Sequence, residues 1–129
     1  VSSELLKAML KKKMDVAKSK VLIMGFSFKE NCPDIRNTKV VDIYRQLEEY
    51  GVDVDVFDPW VDRNEAANVY DLTLVTELNG NTYSAVIVAV AHDEFKNIGI
   101  DGISYFCTSN YVIYDLKYIF PKSPYTLRL

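Results

Sequence analysis

Lys29 and Arg36 are the residues in this sequence best placed to do chemistry on a ligand. They stand at either side of Pro33 in the stretch Gly25-Phe26-Ser27-Phe28-Lys29-Glu30-Asn31-Cys32-Pro33-Asp34-Ile35-Arg36. An ammonium and a guanidinium brought together by a turn can clamp phosphate or pyrophosphate oxygens, the guanidinium with two N–H groups at once. The competing reading is a surface ion pair between Arg36 and Asp34 or Glu30, worth about 0–1 kcal/mol. Gly25 is the only glycine in the stretch, so the dinucleotide fingerprint G-x-G-x-x-G is absent. An anion held here would be held by side chains at least as much as by backbone amides.

Three other positions invite a chemical reading. His92, the sole histidine, precedes Asp93 and Glu94 and as a general base would need one of them to orient it. The plainer reading has it cap a helix or give a ligand one hydrogen bond without moving a proton. Cys32, beside cations, can be read as a nucleophile of lowered pKa. No histidine accompanies it locally, which favours an ordinary loop residue, and Cys107, between Phe106 and Thr108, reads as core. Asp58, followed by Pro59, can hold a ribose hydroxyl in a nucleotide-binding fold. Without the glycine fingerprint it reads more simply as a turn.

The elements that must position these residues follow from the apolar pattern. Residues 20–25 form a nearly unbroken apolar strand of the kind buried on both faces of a parallel sheet. Asn37 or Thr38 can cap a helix whose core stripe is Val40, Val41, Ile43, Tyr44 and Leu47, with Gly51 as its left-handed terminator. Residues 52–57 alternate strictly, which predicts a strand away from the sheet centre, and the three elements make a right-handed β-α-β unit. Residues 61–70 give a weak helical signal and 72–75 suggest a short strand. Residues 85–90 are the most hydrophobic run and predict a central strand, ending at the loop that holds His92. A helix around residues 100–106 and a last strand over 111–115 follow, and the tail from Leu116 to Leu129, with Pro121, Pro124 and Arg128, reads as irregular. Residues 3–19 read as one helix, either an ordinary amphipathic one or the tail of a longer one. The sum is an α/β three-layer sandwich, Rossmann-like, with a mainly parallel sheet of about five strands.

Bulk properties narrow the partners. A chain of 129 residues with 49% apolar and 26% charged residues is an ordinary globular domain. Its net charge of −3 argues against nucleic acid, and no apolar run approaches the ~20 residues that span a bilayer. Lys11, Lys12 and Lys13 interrupt the only N-terminal apolar stretch, so no signal peptide is visible. Two cysteines make neither a disulfide framework nor a C-x-x-C metal pair. The expected setting is a reducing cytosol.

The spacing Gly25-x-x-Phe28-Lys29-x-x-x-x-Asp34-x-Arg36, followed by a helix, Gly51, an alternating strand and Asp58-Pro59, resembles the C-terminal domain of the nucleotide-sugar 6-dehydrogenases. Residues 28–38 look most like the UDP-N-acetylhexosamine branch of Vi-antigen and capsule synthesis, and residues 91–95 fit the family's loop after its central strand. The resemblance implies a bacterial enzyme that oxidises a UDP-sugar at C6 to a carboxylate in two steps, each using NAD. It implies a UDP-sugar-binding domain over residues 20–129 and, over 1–19, the end of a linker helix from a central domain. The catalytic cysteine and an NAD-binding Rossmann domain would belong to upstream parts of a longer chain, assembled as a homodimer or larger. No catalytic residue and no metal carry over to this stretch. What carries over is binding: Phe28 and Lys29 to the UDP-sugar, Arg36 to NAD held mainly by the other domain, and Arg128 as a late substrate-binding arginine. The alternative is a free-standing nucleotide-binding or regulatory module. A flavodoxin-like or receiver domain would show a phosphate loop or clustered acids at strand ends, which this sequence lacks.

Overall fold

Val21, Leu22, Ile23 and Met24 have no solvent exposure at all. A strand buried on both faces needs a covering layer on each side, and that requirement sets the architecture. The computed structural model describes residues 1–123 and 126–128. Five strands, β1 (Lys20–Met24), β2 (Asp53–Phe57), β3 (Tyr83–Val88), β4 (Cys107–Asp115) and β5 (Thr126–Arg128), form one sheet in the order β2-β1-β3-β4-β5. Every neighbouring pair is parallel. Helices α1 (Ser2–Lys11), α2 (Val40–Glu49) and α3 (Arg63–Tyr70) cover one face, where Leu5, Met9, Val41, Leu47 and Ala66 pack with Val21 and Ile23. Helix α4 (Asp93–Tyr105) covers the other, where Phe95 and Ile103 pack with Leu22 and Met24. The alternation of β1 side chains between two cores is the period of two of a pleated strand. The three-layer parallel sandwich expected from the sequence is the fold observed.

Details differ for physical reasons. The expected helix over residues 3–19 stops at Lys11, where Lys13 turns left-handed with φ 59°. The Met14 and Lys13 amides then donate to the carbonyls of Met9 and Leu10, the paired bonds of a Schellman stop. A lysine holds the position that glycine usually marks, which hid the stop. Residues 16–18 form only a 3₁₀ turn. At Gly51, φ 78°, the same stop closes α2 as expected, with Val52 donating to Leu47 and Gly51 to Glu48.

Residues 72–75 are not a strand. Leu72 and Leu74 plug the core, which produces strand-like alternation, but the segment gives the sheet one bond, from Val75 N–H to the Val56 carbonyl. Helix α4 begins at Asp93 rather than near residue 100, with a break at Gly99 (φ 73°, ψ 173°) that splits its periodicity. The strand expected over 111–115 starts at Cys107 and is not the last. The tail read as irregular forms β5, in which Thr126 and Arg128 pair with Ile113 and Asp115. Three residues without an apolar run leave no period to detect. Pro124 lies outside the described residues. Edge placement of β2 and central placement of β3 both hold.

Candidate functional site

Strand order reverses between β1 and β3, since β1 leads to β2 on one side while β3 leads outward on the other. Open parallel sheets hold ligands in the crevice at the carboxyl ends of such a pair. A groove of about 310 Å³ lies there. Its walls are Ser27, Phe28, Lys29 and Glu30 after β1, Asn37, Lys39, Val40 and Ile43 entering α2, Ala89, Val90 and Ala91 after β3, and Leu116 and Lys117 after β4. Three ammonium groups thus rim a partly apolar groove, which suits an anion attached to an apolar or aromatic body.

Backbone geometry explains how the loop after β1 reaches that place. Gly25 turns the chain with φ 103°, and its amide still donates to the Phe57 carbonyl at 2.8 Å. Its Cα lies so close to Val90 that an added Cβ would meet the Val90 Cβ at 2.6 Å. Beyond Gly25, the Asp58 carboxylate takes over. Its Oδ2 accepts from the amides of Phe26 (2.7 Å) and Ser27 (3.0 Å) and lies 3.0 Å from His92 Nε2, while Oδ1 accepts from the Trp60 amide at 2.8 Å. Burial pushes the Asp58 carboxyl up, but the bonds from His92, Phe26 and Trp60 outweigh it and hold the group below its ordinary value. Asp58 is therefore the buried anchor of the cationic loop. Thr38 Oγ1 donates to the Phe26 carbonyl at 2.7 Å and accepts from the Val40 amide at 3.2 Å, so one hydroxyl fastens the loop and starts α2.

His92 is fully buried. Its Nδ1 accepts from the Asn31 amide at 2.9 Å, so that nitrogen carries no proton and Nε2–H is the donor toward Asp58. Neither Asp93 nor Glu94 orients the ring: the Asp93 amide donates to Asn31 Oδ1, and Glu94 accepts from the Trp60 indole. With both nitrogens engaged and the ring fully buried, the imidazole ties the loop after β1 to Asp58.

The sequence-derived ligand residues divide into three places. Phe28 and Lys29 line the groove together, Phe28 as a residue 55% exposed with its amide donating to the Asp34 carbonyl at 2.7 Å. Arg36 stands outside it, its side chain 84% exposed. Its Nε and a terminal nitrogen donate to the two Asp34 carboxylate oxygens at 3.0 and 2.8 Å. That fork holds the Asp34 carboxyl down at about 2. Arg128 lines a second pocket of about 390 Å³ with Tyr118, Lys122, Ser123 and Thr126. Its guanidinium lies 4.5 Å over the Tyr118 ring and donates to the Phe120 carbonyl at 3.1 Å. Sequence reasoning missed Lys39 and Lys117. The position of Lys117 two residues past the β4 end was a usable signal; Lys39 offered none.

Among the described residues no group of three or more His, Cys, Asp or Glu side chains is placed to hold a metal ion. None of the described helices is long and apolar enough to cross a membrane. Cys107 is buried, and burial pushes its thiol up to about 12; Cys32 is partly exposed. The expected outcome with an aromatic disulfide reagent is one thiol titrated in the native chain and both in denaturant. Two fast thiols in the native chain would contradict the burial of Cys107.

Residues 22–122 match the family described as "UDP-glucose/GDP-mannose dehydrogenase family, UDP binding domain". The whole chain is 48% identical to the UDP-N-acetyl-D-glucosamine 6-dehydrogenase of Salmonella typhi, covering 30% of that protein. It is 50% identical to the enzyme of the same name from Pseudomonas aeruginosa, covering 31% of it. The chain therefore spans about a third of the length of these relatives. Among solved structures, the UDP-D-ManNAc dehydrogenase of Pyrococcus horikoshii superposes over 98% of this chain and 29% of its own, with a TM-score of 0.78 at 19% identity. The GDP-mannose dehydrogenase of Pseudomonas aeruginosa does so over 98% and 31%, with a TM-score of 0.67 at 19% identity. At those identities the likeness speaks to fold.

Proposed function

This chain belongs to the UDP-glucose/GDP-mannose dehydrogenase family, as its UDP-binding domain, and from that premise we propose that it forms the nucleotide-sugar half-site of a UDP-sugar 6-dehydrogenase. The enzyme would oxidise the C6 hydroxyl of a UDP-hexose or UDP-N-acetylhexosamine to a uronic acid for surface polysaccharide synthesis. The observation that carries the reading is the groove at the β1/β3 crossing, lined by Phe28, Lys29, Lys39 and Lys117. Phe28 offers a flat apolar face to a base or ribose, and the lysines offer positive charge to a pyrophosphate.

The groove needs a second wall. It is open, and a cleft closed by another domain would exclude water from a reacting sugar. NAD would supply the hydride acceptor in that closed enzyme. What this chain offers a dinucleotide is one guanidinium: Arg36 is directed outward and held in one orientation by its two-pronged bond to Asp34. Without a glycine-rich phosphate turn, that supports an edge contact to NAD bound elsewhere and not a complete site. Arg128 lines the second pocket and not this groove, so a contact from it to the substrate is the part of the reading with least support.

Calorimetric titration of UDP into the chain and into Lys29→Ala tests the half-site. The expected result is saturable binding that weakens by about 1.5–3 kcal/mol in the variant, the size of a charge-assisted contact, or roughly 10- to 150-fold. Binding indifferent to Lys29 moves the nucleotide elsewhere. No heat at millimolar UDP sinks the claim that this domain alone presents a half-site.

A further inference from the structure

We propose that His92 is a positioning residue for the groove: its neutral imidazole, protonated on Nε2, fastens both ends of the segment that carries Phe28 and Lys29, and taking up a second proton releases the Asn31 end. The ligand consequence rests on the nucleotide-sugar reading above; the fastening itself does not.

Two nitrogens of one ring hold the segment at two points. Nε2 lies 3.0 Å from Asp58 Oδ2 and 3.2 Å from Ser27 Oγ. Ser27 Oγ gives its own proton to the Lys29 carbonyl at 2.9 Å, so it accepts from the ring. Nδ1 accepts the Asn31 amide at 2.9 Å, and Asn31 in turn accepts from the Asp93 amide through Oδ1. Phe28 and Lys29 are the residues in between. The ring cannot swing away, because Trp60 stacks on it at 6.0 Å between centroids and Phe95 meets it edge-on at 5.3 Å.

Protonation treats the two contacts oppositely. An imidazolium strengthens its bond to the Asp58 carboxylate, so the ring stays where it is. At Nδ1 it becomes a donor facing another donor, the Asn31 amide, and that contact breaks. The charged groups around the ring are Asp58 in contact at the β2 end, Asp93 and Glu94 on α4, the latter bonded to the covering indole, and Lys29 and Glu30 in the loop itself. Of these, only Asp58 touches the imidazole. The released end therefore belongs to the loop and not to the sheet. Asn31 adopts φ 53°, and once the ring contact breaks its backbone amide loses its acceptor while its Oδ1 still accepts from the Asp93 amide.

A single histidine makes the experiment unambiguous. Nitrogen-15 spectra of the ring in the 129-residue chain, followed as the pH is lowered until the chain unfolds, report the tautomer directly. The expected result is a neutral Nε2–H ring at the upper end. On protonation, the Asn31 amide should lose hydrogen-exchange protection while those of Phe26 and Ser27 keep theirs. A proton on Nδ1, an Asn31 amide unmoved by protonation, or a ring neutral until the whole chain unfolds overturns the proposal. A second arm titrates UDP-glucose, whose diphosphate is esterified at both ends and lacks the terminal phosphate proton that ionises near about pH 6. Its affinity should fall about fivefold or more as His92 protonates, and should be independent of pH over that interval in His92→Gln, which keeps a neutral donor toward Asp58. An equal fall in His92→Gln assigns the effect to another group and overturns the ligand consequence. If UDP-glucose does not bind at any pH, the nucleotide-sugar reading fails, and the ring and amide spectra still decide the fastening.

Discussion

Asp58→Ala should lower the free energy of unfolding by about 3–5 kcal/mol, and the thermal midpoint by about 10–20 °C. One carboxylate accepts from three backbone amides and the His92 ring in a buried place. Removing it strands those donors, each costing about 1–3 kcal/mol if water cannot replace the acceptor. Total stability of a domain is typically about 5–15 kcal/mol, so the loss takes a large share of it. Acid sensitivity should change with it. The native carboxyl sits below its ordinary value, so its contribution is complete above the unfolded value of about 4 and is lost as pH falls through the native one. Asp34, held at about 2 by Arg36, adds to the same limb. In Asp58→Ala the fall of stability below about pH 4 should therefore be shallower than in the native chain. Denaturant melts at several pH values would check both parts. A loss under ~1 kcal/mol would mean that water satisfies the stranded donors.

Gly25→Ala should cost about 2–5 kcal/mol by two separable routes. The first is conformational, because φ 103° is a region that residues with a Cβ rarely occupy. The second is steric: the new methyl would stand 2.6 Å from Val90 Cβ and 2.9 Å from Val90 N. Pairing it with Val90→Gly separates them. Deleting the valine side chain relieves the contact with Cβ and leaves the strained φ and the approach to the Val90 amide. Partial recovery in the double variant, relative to Val90→Gly alone, is the expected result of the thermodynamic cycle. Full additivity would show that the added methyl escapes Val90 through a backbone shift, and the groove would then be displaced as well.

Legibility in the sequence followed the range of the interaction. The β1 run, the alternation of β2 and Gly51 are local signals, each written within a few residues of the structure it specifies, and each element formed where expected. Lys29 likewise stood out as a cation in the loop after β1, Phe28 beside it came only with the family resemblance, and both line one groove. The Asp58–His92 bond joins residues 34 positions apart, and only the pairing of strands decides that they meet. For that reason Asp58 looked like a turn, and His92 seemed to belong with Asp93 and Glu94. Lys39 was hidden for the same cause, since it is an unremarkable surface lysine until the fold brings the entry of α2 to the groove, whereas Lys117, two residues past the β4 end, was open to the strand-end argument. The stop at Lys13 was missed for a different reason, because its left-handed turn is made by a residue whose type does not advertise it.

The groove draws its positive charge from three separate lengths of chain: the loop after β1, the entry to α2 and the loop after β4. An occupant that engages all three has no counterpart to bind once the chain is unfolded, so mass action makes occupancy resist unfolding. At a ligand concentration about 100 times the dissociation constant this amounts to roughly 2.7 kcal/mol, comparable to the cost expected for a side chain at Gly25. The resistance should be shared by the whole domain, because the lysines converge only when β1, β3 and β4 are paired. A nucleotide bound in the groove as proposed would act on this fold as an added cross-link between segments that only the backbone joins.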